Sequence, residues 1–216
     1  MKKPIIKLSN ITFNYDGRVV LNNLSLEIYE GDRVGLMGPN GSGKTTLLYI
    51  IMGLLKPSSG TVEIFGKIRQ KEKDFIEVRE KIGLLFQDSE SQLFCPTVKE
   101  DIAFGPLNLG KSKEEALKIV KETCEILGLS GFEDRVTYKL SGGEKRLVAL
   151  ATVIAMKPLC YLLDEPSSGL DENTTERLLK FLKNNTETYL LVSHDKNFIT
   201  SATDKVYIIN NGKILL

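Results

Sequence analysis

The order of apolar and polar positions divides the chain into alternating strands and helices. Residues 5 to 28 read as strands, because "IIKLSNITFNY" and "VVLNNLSLEIY" alternate roughly one for one, and "YEGDR" supplies a turn. "RVGLMG" and "IGLLFQ" are unbroken apolar runs too short for helices, so they predict buried strands, the second ending at Gln87. Between them "KTTLLYIIMGLL" predicts a helix stopped by Gly53 or by the "KPSSG" turn before the strand "TVEIFG". The middle of the chain is helical. "TVKEDIAFG" predicts a short segment. In "SKEEALKIVKETCEILG" the residues Ala116, Leu117, Val120, Cys124 and Leu127 recur at steps of three and four. Ser112 and Glu115 have capping-box spacing there, and Gly128 sits at the C-cap. A further helix follows "YKLSGGEKRLVALA" and runs to about Met156. Then come a strand "LCYLLD", a helix from Asp171 to about Asn184, a strand "TYLLVS", a short helical piece and a hairpin. In the hairpin "KVYIIN" and "KILL" flank Asn211-Gly212, a pair suited to a type I′ turn. Strands alternating with helices predict an α/β fold with a mostly parallel sheet covered on both faces. A helical insert is expected over about residues 88–155 of a single domain spanning 1–216. No internal repeat, low-complexity tract or linker interrupts it.

Composition narrows the picture a little. The chain has 216 residues, enough for one domain with a sizeable core, and its 26 % charged and 42 % hydrophobic residues are ordinary for a globular protein. A formal net charge of +1 gives no strong field for nucleic acid or an anionic membrane. Cys95, Cys124 and Cys160 lack metal-ligand spacing and point to a reducing, cytosolic setting. The opening "MKKPIIKLSN" has no apolar region of signal-peptide length, and runs such as Leu47–Leu55 fall well short of the roughly 20 residues that span a bilayer. The chain is not expected to cross a membrane by itself, which leaves open docking on a protein that does.

Chemistry gathers at the ends of the predicted strands. "GPNGSGKT", Gly38 to Thr45, fits G-x-x-x-x-G-K-[ST], with a buried strand before it and a helix after it. Glycines let the backbone curl until several N–H groups point inward, and the helix N-terminus adds positive potential, so the loop suits phosphate. Lys44 is placed to reach the β- and γ-phosphates and the Thr45 hydroxyl to ligate Mg²⁺. "LCYLLDEP" puts Asp164 and Glu165 at an apolar strand tip. Beside a phosphate loop, Asp164 suits Mg²⁺ and Glu165 suits a water in line with the γ-phosphate. Gln87 is a neutral amide able to touch the metal or that water. His194, in "LVSHD", is the only histidine, again at a strand end. In an open parallel sheet such ends line the ligand crevice. Ser141, Gly142 and Gly143 form a second anion-binding helix start, far along the chain from the first.

These residues together resemble the nucleotide-binding subunits of ABC transporters. The resemblance covers the whole chain in order: Walker A "GPNGSGKT", Q-loop Gln87, signature "LSGGE", Walker B "CYLLDE", D-loop "SGLD" and switch His194. It implies a P-loop NTPase of ABC type, with a mostly parallel core, an N-terminal antiparallel β lobe and a helical insert. It implies ATP and Mg²⁺ as ligands. Gly38, Pro39, Asn40, Gly41, Ser42, Gly43, Lys44, Thr45 and Thr46 would hold the nucleotide. Thr45, Gln87 and Asp164 would hold the metal, and Glu165, His194 and Gln87 would serve hydrolysis. It also implies a head-to-tail pair in which Ser141, Gly142 and Gly143 of one subunit grip the γ-phosphate bound by the other. Tyr15 matches the adenine-stacking aromatic; its plain alternative is a strand-edge tyrosine. The usual signature ends in Gln, whereas this one ends in Glu144, whose charge suits a first helical turn.

The stretch "DSESQLFCPTVKEDIAFGPLNLG" resembles the ATPases of energy-coupling-factor importers, which take up transition metal ions or vitamins. Leu93 and Phe94 read either as a docking surface for a partner helix or as the seed of the insert's core. Members of that branch often carry a C-terminal extension, and with the chain ending at "NNGKILL" a full-size one is expected to be absent. The expected partners are a second ATPase subunit, identical or paralogous, a transmembrane scaffold and a membrane substrate-binding subunit, with no nucleic acid. The expected place is the cytoplasmic face of the membrane, peripherally bound. Other ABC transporter classes, exporting or lipid-extracting, and soluble ABC ATPases acting on DNA or ribosomes are the alternatives.

Overall fold

The computed structural model describes residues 3–215. Two twelve-residue strands, β1 (Pro4–Tyr15) and β2 (Arg18–Tyr29), pair antiparallel across a tight turn at Asp16-Gly17, where both residues have positive φ. β4 (Ser59–Ile64) and β5 (Lys67–Ile68) extend this pair into a four-stranded sheet of order β2-β1-β4-β5. The second sheet has six strands: β3 (Arg33–Met37), β6 (Ile82–Leu85), β7 (Cys160–Asp164), β8 (Tyr189–Val192), β9 (Lys205–Asn210) and β10 (Lys213–Leu215). Its order is β10-β9-β3-β8-β7-β6, parallel except for the terminal β9–β10 hairpin. Asn211 and Gly212 in that hairpin both have positive φ, as a type I′ turn requires.

The parallel strands are buried on both faces, which is why they read as unbroken apolar runs. Cys160 and Leu162 of β7 and Leu190 and Val192 of β8 point into one core, shared with helix α1 (Lys44–Ile51) and the antiparallel sheet. Tyr161, Leu163, Tyr189 and Leu191 point the other way. There they meet α6 (Glu172–Asn185), α7 (Lys196–Ala202) and the helical insert. One face of the parallel sheet is therefore covered largely by a second sheet rather than by helices.

The insert comprises α3 (Val98–Asn108), α4 (Lys113–Leu127) and α5 (Gly142–Ala155). The capping box of Ser112 and Glu115 forms, and Gly128 takes the left-handed C-cap. α3 is longer than the short segment expected from sequence. It runs for 11 residues through Gly105-Pro106, because Ile102, Ala103 and Pro106 bury themselves and offset the single bond that proline removes. Gly105 matters here: a Cβ would lie 2.6 Å from Met156 Cγ at the end of α5. Between β5 and β6 the chain forms a 3₁₀ turn, Glu72–Phe75, and a short helix, α2 (Ile76–Lys81).

A seam of backbone bonds joins the start of the insert to the run leading into Ser141. Thr97 pairs with Val136, Val98 N–H donates to Arg135 O at 3.1 Å, and Thr137 N–H donates to Pro96 O at 3.1 Å. Buried Asp101 completes it, accepting from the amides of Phe94 (3.1 Å) and Cys95 (2.9 Å) and from Thr137 Oγ1 (3.1 Å). Leu93 packs against the insert's core, whereas Phe94 is 65 % exposed and meets Phe104 edge-on at 4.8 Å. Leu93 thus joins the core, while Phe94 stays on the surface.

Candidate functional site

Four neighbouring strands, β3, β8, β7 and β6, end on one side of the sheet and deliver four groups of polar residues there. A cleft of about 360 Å³ lies at these tips, lined by Tyr15, Asn40, Gly41, Gly43, Lys44, Thr45, Thr46, Gln87, Asp164 and Glu165. Arg18 and Val20 of β2 also line it and were not singled out in the sequence. Pro39 and Ser42 open onto an adjoining hollow with Asn40 and Gly41. Gly38 sits at the foot of the loop, against Ile209.

The loop between β3 and α1 is shaped by glycine. Gly43 has φ 102°, and a Cβ there would strike Leu21 Cδ2 at 2.5 Å, so only glycine fits. Lys44 Nζ lies across the loop and donates to Gly38 O at 2.8 Å and Pro39 O at 2.9 Å. Burial lowers its pKa, and Glu165 and Asp164 oppose that shift. Ser42 Oγ is buried without a hydrogen-bond partner, an orphan that a phosphate oxygen would satisfy.

Thr45 Oγ1 donates to Asp164 Oδ2 at 2.6 Å. Asp164 is only 2 % exposed, and burial raises its pKa despite the Thr45 bond, with Glu165 adding to the rise. A hydroxyl and a buried carboxylate in contact form a hard-oxygen pair that suits Mg²⁺. Among the described residues no cluster of three or more His, Cys, Asp or Glu could hold a metal unaided. A metal here would rely on Thr45, Asp164 and Gln87 together with phosphate and water, the coordination usual for a nucleotide-bound Mg²⁺.

Glu165 follows Asp164 with φ 51°, a left-handed conformation unusual for glutamate. Its amide donates to Val192 O at 2.9 Å. Its carboxylate accepts from His194 N at 3.3 Å and lies 2.9 Å from His194 Nδ1. The histidine ring is 73 % exposed while the Glu165 side chain is 11 % exposed. Thus His194 reaches the cleft only through Glu165. Gln87 lies two residues past the end of β6 and still lines the cleft.

Ser141, Gly142 and Gly143 are not among the cleft residues. Ser141 caps α5, accepting from Glu144 N–H at 3.3 Å, while Glu144 Oε2 accepts from Ser141 N–H at 2.7 Å. Glu144 also pairs with Arg135 at 3.1 Å. The variant glutamate therefore closes a capping box, and Ser141 and Gly142 are exposed at the helix start. Tyr15 is half-exposed at the cleft edge and meets Phe13 edge-on at 4.8 Å, so a ring face is available for stacking.

Two connecting residues escaped the sequence reading of the site. Gln92 was noticed only as part of a pattern, yet its Oε1 accepts from Phe86 N–H at 3.1 Å and its Nε2 donates to Ala149 O (3.0 Å) and Thr152 Oγ1 (2.9 Å). Arg146 is buried at 3 % exposure. It donates to carbonyls on both sides of the cleft: Phe86 O (2.5 Å), Gln87 O (3.1 Å), Glu165 O (2.7 Å) and Asp164 O. Its signal was present in the sequence: Ala149 and Leu150 at i+3 and i+4 place this arginine on the apolar stripe of α5.

The family model described as "ABC transporter" matches residues 21–168. The energy-coupling factor transporter ATP-binding protein EcfA of Methanocaldococcus jannaschii is 43 % identical, over 98 % of this chain and 77 % of its own length. That of Methanothermobacter thermautotrophicus is 41 % identical, over 98 % of this chain and 70 % of its own. Among solved structures, CbiO1 from Clostridium perfringens, part of the ABC transporter complex CbiONQ, superposes with a TM-score of 0.86. It is 33 % identical, with 100 % of this chain and 88 % of that one covered. A dimeric ATP-binding cassette in a post-hydrolysis state, bound to ADP and Pi, superposes with a TM-score of 0.89 at 30 % identity, covering 98 % and 97 %.

Proposed function

The chain belongs to the ABC transporter family, and from that premise we propose that it is the ATP-hydrolysing subunit energising an importer of the energy-coupling-factor type. One observation carries the mechanism. Adjacent strand tips bring Lys44 and Thr45, Glu165 with His194, Asp164 and Gln87 to one cleft, while the second phosphate-binding start, Ser141 to Gly143, faces outward elsewhere. A site so divided is completed by a second subunit placed head to tail. The dimeric cassette among the structural neighbours supports that arrangement.

In this reading Tyr15 stacks on the adenine and the loop from Gly38 to Thr46 wraps the phosphates. Lys44 leaves the carbonyls of Gly38 and Pro39 for the β- and γ-phosphate oxygens. Thr45, Asp164 and Gln87 would hold Mg²⁺, which would supply neutralisation of the phosphate charge. Glu165 orients the attacking water and takes up its proton, with His194 fixing the carboxylate through the 2.9 Å contact. Ser141 and the amides at the start of α5 grip the γ-phosphate of the partner's nucleotide. Nucleotide binding therefore closes the pair, and hydrolysis reopens it.

No helix among the described residues is long and apolar enough to cross a membrane. A transmembrane scaffold would dock instead on the exposed patch of Phe94, Phe104 and Leu107, beside the seam that leads to Ser141. A membrane substrate-binding subunit would select the cargo, a transition metal ion or a vitamin. The chain would sit peripherally on the cytoplasmic face.

The test is Glu165→Gln. The variant is expected to bind ATP, to lose turnover by about 100-fold or more, and to form a stable ATP-dependent dimer in size-exclusion chromatography. Turnover at the parent rate would remove Glu165 from the chemistry. A monomer at saturating ATP would remove the shared site.

A further inference from the structure

Arg146 holds two sides of the catalytic cleft, the chain just past β6 and the end of β7, without lining the cleft itself. It lies on α5 five residues beyond Ser141, roughly one and a half helical turns inward. The residue is 3 % exposed, and among the described residues no carboxylate is in direct contact with its guanidinium. Its bonds go instead to main-chain carbonyls at two strand tips, with a long one to Ser89 Oγ at 3.5 Å. Nη1 holds Phe86 O at 2.5 Å and Gln87 O at 3.1 Å, just past the end of β6. Nη2 holds Glu165 O at 2.7 Å and Asp164 O, at the end of β7. The ladder between β6 and β7 closes with Leu85 and Leu163, so the guanidinium continues the crosslinking where backbone bonds stop.

An arginine buried without an ion-pair partner is costly, and here Nε is also left without an acceptor. Burial pushes its pKa down to about 10. The nearby charges of Asp164, Glu165 and Asp88 oppose that shift. The reward for this cost lies at Glu165. That residue is held in its left-handed conformation, φ 51°, by three bonds: its amide donates to Val192 O, and its carbonyl accepts from Arg146 at 2.7 Å and from Ser168 N–H at 3.0 Å. The aim of its carboxylate follows from all three, and only the bond from Arg146 reaches back to the signature helix.

We infer that Arg146 is a positioning residue that locks the backbones of Gln87 and Glu165 to the signature helix. A phosphate gripped at Ser141 of one subunit is thereby felt at Glu165 of the same subunit. The inference rests on the head-to-tail reading above. In that arrangement Ser141 attends the partner's nucleotide while Glu165 attends its own. The two ATP sites of the pair are thus coupled through Arg146 in each subunit, the signature-helix side chain that reaches Glu165, and hydrolysis is cooperative.

The experiment compares the purified parent chain with Arg146→Met, which keeps the apolar stem and removes the donor fork, and Arg146→Lys, which keeps the charge with different donor geometry. Steady-state ATPase is measured across ATP concentrations, and binding of a fluorescent ATP analogue is measured separately. For R146M the affinity for the analogue should stay within about 3-fold, and kcat should fall by about 100-fold, as for a misplaced catalytic group. The Hill coefficient, above 1 in the parent, should fall to 1. R146K should lie between. A kcat at the parent value in R146M, a loss confined to nucleotide affinity, or a parent Hill coefficient of 1 overturns the inference. Should thermal melting show R146M unfolded, R146K decides: parent kcat and cooperativity there overturn it too. A parent that neither binds nor hydrolyses ATP overturns the proposed function as well, whereas a working parent with an unchanged variant overturns this inference alone.

Discussion

Ser141 has two duties that can be separated by substitution. It caps α5 through Glu144 N–H at 3.3 Å, and in the proposed pair its hydroxyl meets the partner's γ-phosphate. Ser141→Ala removes both. Loss of an N-cap costs about 1 kcal/mol, so the unfolding free energy from a urea melt should fall by that much and no more, because the reciprocal bond from Ser141 N–H to Glu144 Oε2 at 2.7 Å survives. Ser141→Asp keeps the cap, since aspartate is as good an N-cap as serine. It places a carboxylate where the phosphate must come. Two like charges about 4 Å apart repel by about 1 kcal/mol in water and about 4 kcal/mol at the effective dielectric of a partly covered site. That range is roughly fivefold to a thousandfold in the ATP-dependent dimerisation constant. The assay is light scattering behind size exclusion in a Glu165→Gln background, with ATP titrated against the single, S141A and S141D forms. Urea melts of each form run in parallel. An S141D form as stable as the parent that fails to dimerise supports the division of duties. An S141D form that dimerises at the parent's ATP concentration refutes the γ-phosphate contact. A loss above about 3 kcal/mol in S141A refutes the capping account.

Two other changes test the cleft and its supports. Asp164 has its pKa raised by burial, so the folded chain holds the proton more tightly than the unfolded chain and stability falls as pH climbs from the unfolded value of 3.8 through the higher folded one. Asp164→Asn should therefore raise the urea midpoint at neutral pH, with the gain shrinking as pH drops toward 4, while Mg²⁺-dependent turnover is lost. Gln92→Leu strips an acceptor from Phe86 N–H and donors from Ala149 O and Thr152 Oγ1. It should cost about 1–3 kcal/mol by equilibrium unfolding, because those groups are left partly buried and unpaired; a loss below about 0.5 kcal/mol would mean that water replaces the amide.

The legible parts of this chain were those where local chemistry and long-range structure demand the same residues. The phosphate loop is one: β3 is apolar because it is central, Gly43 is glycine because its φ and Leu21 permit nothing else, and Lys44 and Thr45 open a helix. The hairpin at Asn211-Gly212 and the capping boxes at Ser112 and Ser141 are others. The stretch from Lys67 to Lys81 went unassigned because its order is made by side chains, not periodicity. There Arg69, buried, donates to Ile64 O and Asp74 O, and Glu77 gathers Lys67, Arg69 and Lys81. "TVKEDIAFG" reads as a short segment, yet α3 runs on through Gly105-Pro106. Burial of Ile102, Ala103 and Pro106 carries it on, with Met156, about fifty residues later, packed close against Gly105. Asp101 shows the same limit, and so do the partners of Arg146, whose place on the apolar stripe of α5 marks burial without naming them. A charge in a helix reads as solvent-facing until the carbonyls or amides it serves are brought to it by the fold.

The strand order also governs how the protein comes into being. β3, formed by residues 33 to 37, is flanked by β8 and β9, which begin at residues 189 and 205. During synthesis the central strand emerges early and has neither neighbour until residues 189 to 210 are made. The antiparallel sheet of β1, β2 and β4 can pair meanwhile, since its strands lie within the first 64 residues. While the roughly 150 residues between are translated, the nascent chain thus carries a buried-type apolar strand with both edges open, a state prone to intermolecular pairing and to chaperone capture. Premature truncation before residue 189 leaves the phosphate loop without the strands that hold its base, so incomplete chains are denied a working nucleotide site.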